Sequence, residues 1–524
     1  YNHCHGIRGV TERRQIMILK INGDVSRYYV QTLCLVFFPG AKFRDDETAP
    51  DTPRVTVNVR SYRNGNVRAS VEIRAFGKVS KAEELTEPSP NIIPERMAKI
   101  AVGRAMFAAG KELFGHIPPW GILTGVRPSK VATELIEAGN GILRSKRILR
   151  DEYFLNPQKA ALVVSVANTE MQLTKKLPKN LCSIYISIPF CPSRCAYCSF
   201  VSYTSSKLLS LIDDYLVKLY EDLENMVGII RDLGQTIATV YIGGGTPTVL
   251  SAEQLDTLLG KINAFIDVPS LMEFTLESGR PDTITEEKLA IAKRHGVTRI
   301  SVNPQTLSDE ILEAIGRRHT VADFYRAYEM AQKSGIRDIN VDLIVGLPGD
   351  TFSQFAQTID KIVDLDPSNI TVHTFCVKKA ADVLRENKSV YSLTGGDAGK
   401  SISYAQLRTK FAGYRPYYLY RQKNTVGNLE NVGYAKEGAE GMYNIFMMEE
   451  LHSVFAVGAG AVTKLVAYHA GENGETCISR IFTPKYPYEY LRDADAIRTG
   501  GYDDKPAIRD RIFAFYREYG LIND

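Results

Sequence analysis

The stretch Ile184-Tyr185-Ile186-Ser187-Ile188-Pro189-Phe190-Cys191-Pro192-Ser193-Arg194-Cys195-Ala196-Tyr197-Cys198 decides how this chain is read. Its first five residues are β-branched or aromatic apart from one serine, the pattern of a buried strand that Pro189 brings to an end. The strand runs straight into three thiols spaced C-x3-C-x2-C, with the aromatic Tyr197 immediately before the last. Thiolates at that spacing can ligate three irons of a cubane 4Fe-4S cluster, and because full ligation takes four cysteines, the fourth iron stays open to a small molecule. A structural zinc is the main alternative. It normally takes four ligands, often as two C-x2-C knuckles, and no nearby Cys or His completes a set. Iron-sulfur is therefore the favoured reading of Cys191, Cys195 and Cys198, over zinc or plain thiols.

Downstream, short β-rich runs alternate with helical periodicity. Strands are expected at Ile184–Ile188, Thr239–Ile242, Glu273–Leu276, Arg299–Val302, Asp338–Ile344 and Ile370–Thr374. Helices are expected around Leu208–Leu233, Ala252–Phe265, Glu286–Arg294, Val321–Ser334 and Phe352–Leu365. Six βα units predict an α/β fold, a parallel sheet curled as a partial (βα)6 TIM-like barrel. In such barrels the site lies at the C-terminal ends of the strands. The residues there are chemically coherent: the cysteines after the first strand, Gly243-Gly244-Gly245-Thr246-Pro247-Thr248 after the second, then Glu277, then Asn303 and Gln305, then Asp342, and finally His373, Phe375 and Cys376. A glycine run alone is usually a turn, but directly after a strand it lets the backbone approach a ligand and expose N–H and C=O groups to it.

Upstream, Arg14 to about Phe76 reads as strands, including Tyr28–Phe38 and a hairpin pairing Val55–Val59 with Ala69–Ile73 across Asn64-Gly65-Asn66. Helical spacing follows at Arg96–Leu113, Pro128–Ala138 and Pro157–Leu173. The expected domains are an N-terminal α+β domain over 1–178, the barrel over 179–394 and a smaller C-terminal, substrate-covering extension over 395–524. That extension carries a strand around Tyr417–Tyr420, the small-residue segment Val457-Gly458-Ala459-Gly460-Ala461 and a terminal helix at Ile508–Tyr516. Trp120, the only tryptophan, sits in a Pro- and Gly-dense loop and is expected to staple the first domain to the next rather than touch substrate.

Composition excludes several classes. With 44% hydrophobic and 24% charged residues in 524, the chain is ordinary globular material, and a net charge of +4 is too mild to imply nucleic acid. No apolar run reaches the roughly 18 to 20 residues of a membrane helix. The first residues lack signal-peptide order, so a cytoplasmic location is expected. Eight cysteines are too few for a disulfide framework. Cys34 and Cys182 read as buried thiols in strands; Cys4 and Cys477 are scattered.

The motif from Cys191 to Cys198, with Gly243 to Pro247, resembles the radical S-adenosylmethionine enzymes through most of residues 180–470. Tyr185 to Phe190, Gly243 to Thr248 and Asn340-Val341-Asp342-Leu343-Ile344-Val345-Gly346-Leu347-Pro348 resemble the oxygen-independent coproporphyrinogen III oxidase group. Within it, the Trp120-to-Pro128 loop and the stretch Tyr418 to Asn424 followed by Gly427-Asn428-Leu429-Glu430-Asn431 are similar to the HemZ-type coproporphyrinogen dehydrogenases. The resemblance implies a 4Fe-4S cluster and S-adenosylmethionine as cofactors, with the latter contacted by Tyr185, Gly244, Gly245, Thr246, Glu277, Gln305, Arg317, Asp342, Ile344 and Cys376. Glu277 and Asp342 would suit its ammonium or ribose hydroxyls, and Arg317 its carboxylate. It implies a tetrapyrrole substrate with four propionates, two of which become vinyl groups after hydrogen abstraction and loss of CO2, and a reductant such as flavodoxin or ferredoxin. Arg421 and Lys423, beside Tyr417, Tyr418 and Tyr420, are candidate propionate anchors, as are Lys378 and Lys379. Phe200 stands where the well-studied branch has a fourth cysteine. The pattern is also similar to haem chaperones, which bind haem for delivery, and to radical enzymes of anaerobic haem breakdown.

Overall fold

The computed structural model describes residues 16–44, 52–90, 92, 94–115, 117–198, 200, 202–376, 396–422, 425–471, 474–492, 497 and 506–522. Cys4, Lys378, Lys379, Lys423 and Asn424 lie outside them. The chain groups into two compact units: Tyr1–Gln172 with Thr374–Ser403 and Leu419–Asn431, and Leu173–His373 with Tyr404–Tyr418 and Val432–Asp524. These units are not contiguous in sequence, unlike the three domains expected over 1–178, 179–394 and 395–524. The later segments return to both units.

In the first unit, β1 (Ile16–Asn22), α1 (Arg27–Phe37), β2 (Lys42–Arg44), β3 (Arg54–Ser61), β4 (Val67–Ala75) and β5 (Lys78–Thr86) precede α2 (Met97–Phe114), α3 (Ser129–Leu135), α4 (Gly141–Asp151) and α5 (Pro157–Thr174). The strands form one sheet in the order β2-β1-β3-β4-β5, and the predicted hairpin is present as antiparallel β3 and β4. The strand expected at Tyr28–Phe38 is instead α1. Its residues are β-prone, but Val30, Leu33, Cys34 and Phe37 are buried at helical spacing, and Ser26 caps the helix by accepting the Tyr29 N–H. Cys34 is thus a buried thiol in a helix, whereas Cys182 is in a strand as expected.

The second unit continues through β6 (Leu181–Ile188), α6 (Ser206–Leu209), α7 (Ile212–Asp232), β7 (Thr236–Gly244), α8 (Ala252–Phe265), β8 (Glu273–Leu276), α9 (Glu286–Arg294), β9 (Arg299–Ser301), α10 (Asp309–Ala314), α11 (Val321–Lys333), β10 (Asp338–Val345), α12 (Phe352–Asp364) and β11 (Asn369–Thr374). After them come α13 (Gly396–Phe411), β12 (Arg415–Arg421), β13 (Glu430–Ala435), α14 (Met442–Glu449), β14 (Val454–Val457), β15 (Val462–Ala467), β16 (Cys477–Phe482), α15 (Pro487–Arg492) and α16 (Ile508–Glu518). Strands β6 to β11 are neighbours in chain order, and β6 to β10 pair in parallel, which is the βα repeat of a partial barrel. Capping boxes at Ser251 with Gln254, Thr320 with Asp323 and Thr351 with Gln354 fix where α8, α11 and α12 start. The parallel run is extended by β13, antiparallel to β11, and by β14, parallel to β6. The small residues Gly458 and Ala459 are accounted for there: the Tyr215 hydroxyl donates to Ser187 O at 2.6 Å and accepts the Ala459 N–H at 2.9 Å, and a Cβ on Gly458 would lie 2.5 Å from that hydroxyl. Among the described residues no helix is long and apolar enough to cross a membrane.

At the N-terminal ends of β8, β9 and β10, Glu273, Arg299 and Asp338 form a buried ionic group, and Arg299 also donates to Asn369 and to Ala439 O. This end of the parallel sheet is closed by structure, leaving chemistry to the other end.

Candidate functional site

The cysteine loop leaves the C-terminal end of β6 and is pinched at its base. The Cys191 N–H donates to Tyr203 O at 3.0 Å and the Tyr203 N–H to Pro189 O at 2.8 Å, a β-bridge between Phe190 and Tyr203. Within the loop the Cys198 N–H donates to Cys195 O at 3.1 Å, and the Ala196 N–H reaches Ile315 O at 2.9 Å. Cys191 and Cys195 are buried and Cys198 half-buried. Each buried thiol has a polar neighbour: Thr246 Oγ1 lies 3.3 Å from Cys191 Sγ, and Arg280 Nη1 donates to Cys195 Sγ at 3.7 Å. Burial pushes the Cys191 thiol up to about 11, and the neighbouring Cys198 and Cys195 push in the same direction. Thiols gathered like this ionise readily only around a positive centre. Among the described residues no three His, Cys, Asp or Glu side chains converge on a point fit for one metal ion. A cubane places each thiolate on a different iron and needs no such convergence, so the donor set fits a cluster better than a mononuclear zinc.

Arg280 was not singled out from sequence. Its Nε and Nη2 pair with Asp282 at 2.9 and 2.8 Å, while Nη1 also holds Ser193 Oγ at 3.0 Å, so one buried guanidinium clamps the loop and sets a positive charge beside Cys195. Its position three residues beyond Glu277, at the same strand end, is the signal that could have found it. Arg317 plays a similar part: Nε and Nη2 donate to the Tyr197 hydroxyl at 3.0 and 2.8 Å, and Nη1 to Gly279 O and Asn303 O. Its observed contacts fix the cysteine loop; the carboxylate role remains a proposal.

The glycine run brings β7 against β6. The N–H groups of Gly245 and Thr246 donate to Ile188 O at 2.7 Å and Phe190 O at 2.8 Å, and a Cβ on Gly245 would lie 2.3 Å from Phe190 O. These two amides are therefore engaged within the protein rather than open, and glycine is required first by the approach of strand to loop. Tyr185 stacks with Tyr241 and Tyr443, their ring centroids 4.6 to 6.4 Å apart, an aromatic group of which only Tyr185 was foreseen. The other two were hidden because Tyr241 reads as a strand residue and Tyr443 lies far along the chain.

Two carboxylates meet across β8, β9 and β10. Asn303 Nδ2 donates to Glu277 Oε1 at 3.1 Å and to Asp342 Oδ2 at 3.0 Å, bridging them. The Tyr241 hydroxyl and Ser301 Oγ also donate to Glu277, and Asn340 Nδ2 to Asp342 at 2.7 Å. His373 Nε2 lies 3.6 Å from Asp342. Burial, then the Asp342 charge, pushes Glu277 up to about 7. Burial works to raise Asp342 too, but the His373 and Asn340 contacts hold it below the usual carboxylate range. The pair therefore carries one negative charge firmly and a second that comes and goes near neutrality. Beside it, Gln305 adopts φ +69°, donates its N–H to Asp342 O at 3.1 Å and accepts the Ile344 N–H at 2.9 Å, while its buried Oε1 has no partner among the described residues. An orphaned buried acceptor on a residue bonded through its main chain to Asp342, together with the two buried carboxylates, suits a ligand that brings N–H or O–H donors and positive charge.

This pair gives a pH test. The folded chain holds a proton on Glu277 between about 4.5 and about 7 that the unfolded chain has released, so its stabilisation is full below about 4.5 and lost as pH rises through about 7. Between about pH 5 and about pH 8, wild type should lose on the order of 2 kcal/mol more unfolding free energy than Glu277→Gln, measured by denaturant titration. Parallel pH curves for the two proteins would refute the assignment.

Of the remaining candidates, Arg421 and Cys376 belong to the first unit, where Cys376 is half-buried and bridges to Thr425.

The Radical SAM superfamily model matches residues 185–362. The oxygen-independent coproporphyrinogen-III oxidase-like protein HemZ of Bacillus subtilis is 38% identical over 72% of this chain and 75% of its own length. The heme chaperone HemW of Haemophilus influenzae is 31% identical over 64% of this chain and 81% of its own. The solved structure of the Escherichia coli radical SAM enzyme coproporphyrinogen III oxidase (HemN) is similar at 19% identity, covering 63% of this chain and 72% of that one with a TM-score of 0.46.

Proposed function

Because this chain belongs to the radical SAM superfamily and, within it, to the family of the oxygen-independent coproporphyrinogen-III oxidase-like protein HemZ, we propose that it catalyses the oxygen-independent oxidative decarboxylation of coproporphyrinogen III to protoporphyrinogen IX. Its cofactors are a 4Fe-4S cluster and S-adenosylmethionine. When bound, they supply a 5'-deoxyadenosyl radical able to remove hydrogen from a propionate carbon. The observation that carries the reading is a pinched three-thiol loop after β6 and a bridged carboxylate pair across β8, β9 and β10 of the same parallel run.

In this reading Cys191, Cys195 and Cys198 hold the cluster. Arg280 and Thr246 give N–H and O–H donors to two of the sulfurs, which favours the reduced, more negative cluster. Glu277 and Asp342 receive the donors of S-adenosylmethionine, Gln305 contributes its free acceptor, and the Tyr185 group supplies a flat apolar wall. Arg317 keeps Tyr197, and so the cysteine loop, in place. The reductant is of the flavodoxin or ferredoxin kind, and the setting is cytoplasmic.

A second reading, haem binding for delivery, draws support from the chaperone relative and from the exposed Phe200 in the position of a fourth cysteine. One experiment separates them. Cluster-reconstituted protein, incubated anaerobically with coproporphyrinogen III, S-adenosylmethionine, reductant and electron acceptor, is expected to yield a divinyl product and 5'-deoxyadenosine together. Stoichiometric haem binding with no vinyl product would replace the dehydrogenase by the chaperone, whereas S-adenosylmethionine cleavage with every tetrapyrrole unchanged and no haem bound would reject both.

A further inference from the structure

The first unit contains a cavity of about 470 Å³ whose lining residues all belong to that unit. That volume is the size of a small-molecule site. Its wall is formed by α1, by the loop from Pro118 to Arg127 and by the segment around Arg421. These parts are bonded together: Tyr29 donates to Ile122 O at 3.3 Å, Thr32 Oγ1 to Thr124 Oγ1 at 3.1 Å, and the Arg421 N–H to Val126 O at 2.8 Å. Gly121 at φ +52° lets the loop turn where a Cβ would meet Tyr153 O at 2.1 Å. The cavity is thus built rather than left over.

Its charge is one-sided. Five cations line it, Arg96, Lys99, Arg127, Lys130 and Arg421, and no described Asp or Glu does. Arg96 is neutralised by a two-pronged bond to Glu134. Arg421 is not neutralised in this way. It is 4% exposed, lies 4.9 Å over the Trp120 ring, and donates only to the backbone carbonyls of Leu123 and Asn428, while its Nε has no partner among the described residues. The nearby carboxylate, Glu430, is already engaged by Lys159 and by Trp120 Nε1. Among the described residues Arg421 is therefore left with no carboxylate in contact. A buried guanidinium left without an anion is destabilising unless something supplies the missing charge.

We propose that this cavity binds an anionic ligand with a flat apolar body, its acidic group on Arg421 and its ring against Trp120, with Lys99 and Lys130 meeting further acidic groups from their exposed positions. Two sources carry that chemistry: a carboxylated tetrapyrrole, which rests on the reading given under Proposed function, and a phosphorylated ring such as flavin mononucleotide.

Trp120 is the only tryptophan in the chain, so its fluorescence reports this cavity alone. The holoprotein is titrated anaerobically with coproporphyrin III, with its neutral tetramethyl ester and with flavin mononucleotide. Saturable quenching at one equivalent by either acid, weakened about 10- to 100-fold in Arg421→Leu and absent with the ester, is expected, and the acid that saturates names the source. Should Arg421→Leu not fold, Lys99→Gln/Lys130→Gln, changed only at exposed side chains, must weaken the same titration. No saturable response to either acid, or equal response to the ester, overturns the proposal. If the titration fails while vinyl product forms, only the cavity is lost; if product is absent while the titration saturates, only the reaction is.

Discussion

Cys191→Ser, purified and reconstituted beside wild type, is expected to retain little iron and sulfide, to lose the broad visible absorbance of the cluster, and to cleave S-adenosylmethionine about 10³-fold more slowly or not measurably. Cys195→Ser and Cys198→Ser should do the same, because each thiolate serves a different iron and none can substitute for another. The loop itself should survive. Its base is held by main-chain bonds between Cys191 and Tyr203 and between Tyr203 and Pro189, and its flank by Arg280 on Ser193 and Arg317 on Tyr197, none of which needs the Cys191 sulfur. Unchanged far-ultraviolet circular dichroism with lost iron is therefore the expected signature. Full iron loading of Cys191→Ser would remove this thiol from the ligand set, whatever the fate of activity.

Lys159→Met is expected to destabilise the protein by about 3–5 kcal/mol, seen as a fall in Tm on the order of 10 °C. Lys159 and Glu430 are 3% and 0% exposed, and Lys159 is the cation in contact with the Glu430 carboxylate. Removing it leaves a charge buried against an indole N–H. The double variant Lys159→Met/Glu430→Gln should recover most of the loss, since glutamine is neutral and still accepts from Trp120 Nε1. A single variant within 2 °C of wild type, or a double variant no better than the single, would show that the pair does not support the first unit.

Much of the second unit was legible because its signals are local. The helix at Ala252–Phe265 and the strand at Glu273–Leu276 end where their periodicity, caps and bounding residues say they should. The strand-end rule then placed Glu277, Asn303 and Asp342 on one rim, and the structure joins them through a single amide. The first unit was harder. Tyr28 to Phe38 has strand composition, and only the spacing of Val30, Leu33, Cys34 and Phe37, with the Ser26 cap, turns it into a helix. Strand β5 went unread because Lys78, Lys81, Glu83 and Glu84 give it a charged rather than a β-prone composition, and helix α4 went unread with it, although glycines precede both.

By itself the sequence determined the order of the βα units, the thiol loop after the first of them and the strand ends where polar groups gather, since each depends on residues within a few turns of one another. The tertiary structure alone decided which distant groups become partners. Arg280 reaches Cys195 across 85 residues, and Trp120 reaches Glu430 across 310. The Gly245 and Thr246 amides foreseen for a ligand are bonded to β6 and its loop, and Arg421, read as one cation in a basic strand, is a buried guanidinium short of an anion. Burial and hydrogen bonding are properties of the packed chain. Periodicity reports which face of a segment is apolar, but which charge meets which is fixed only when the segments close on one another.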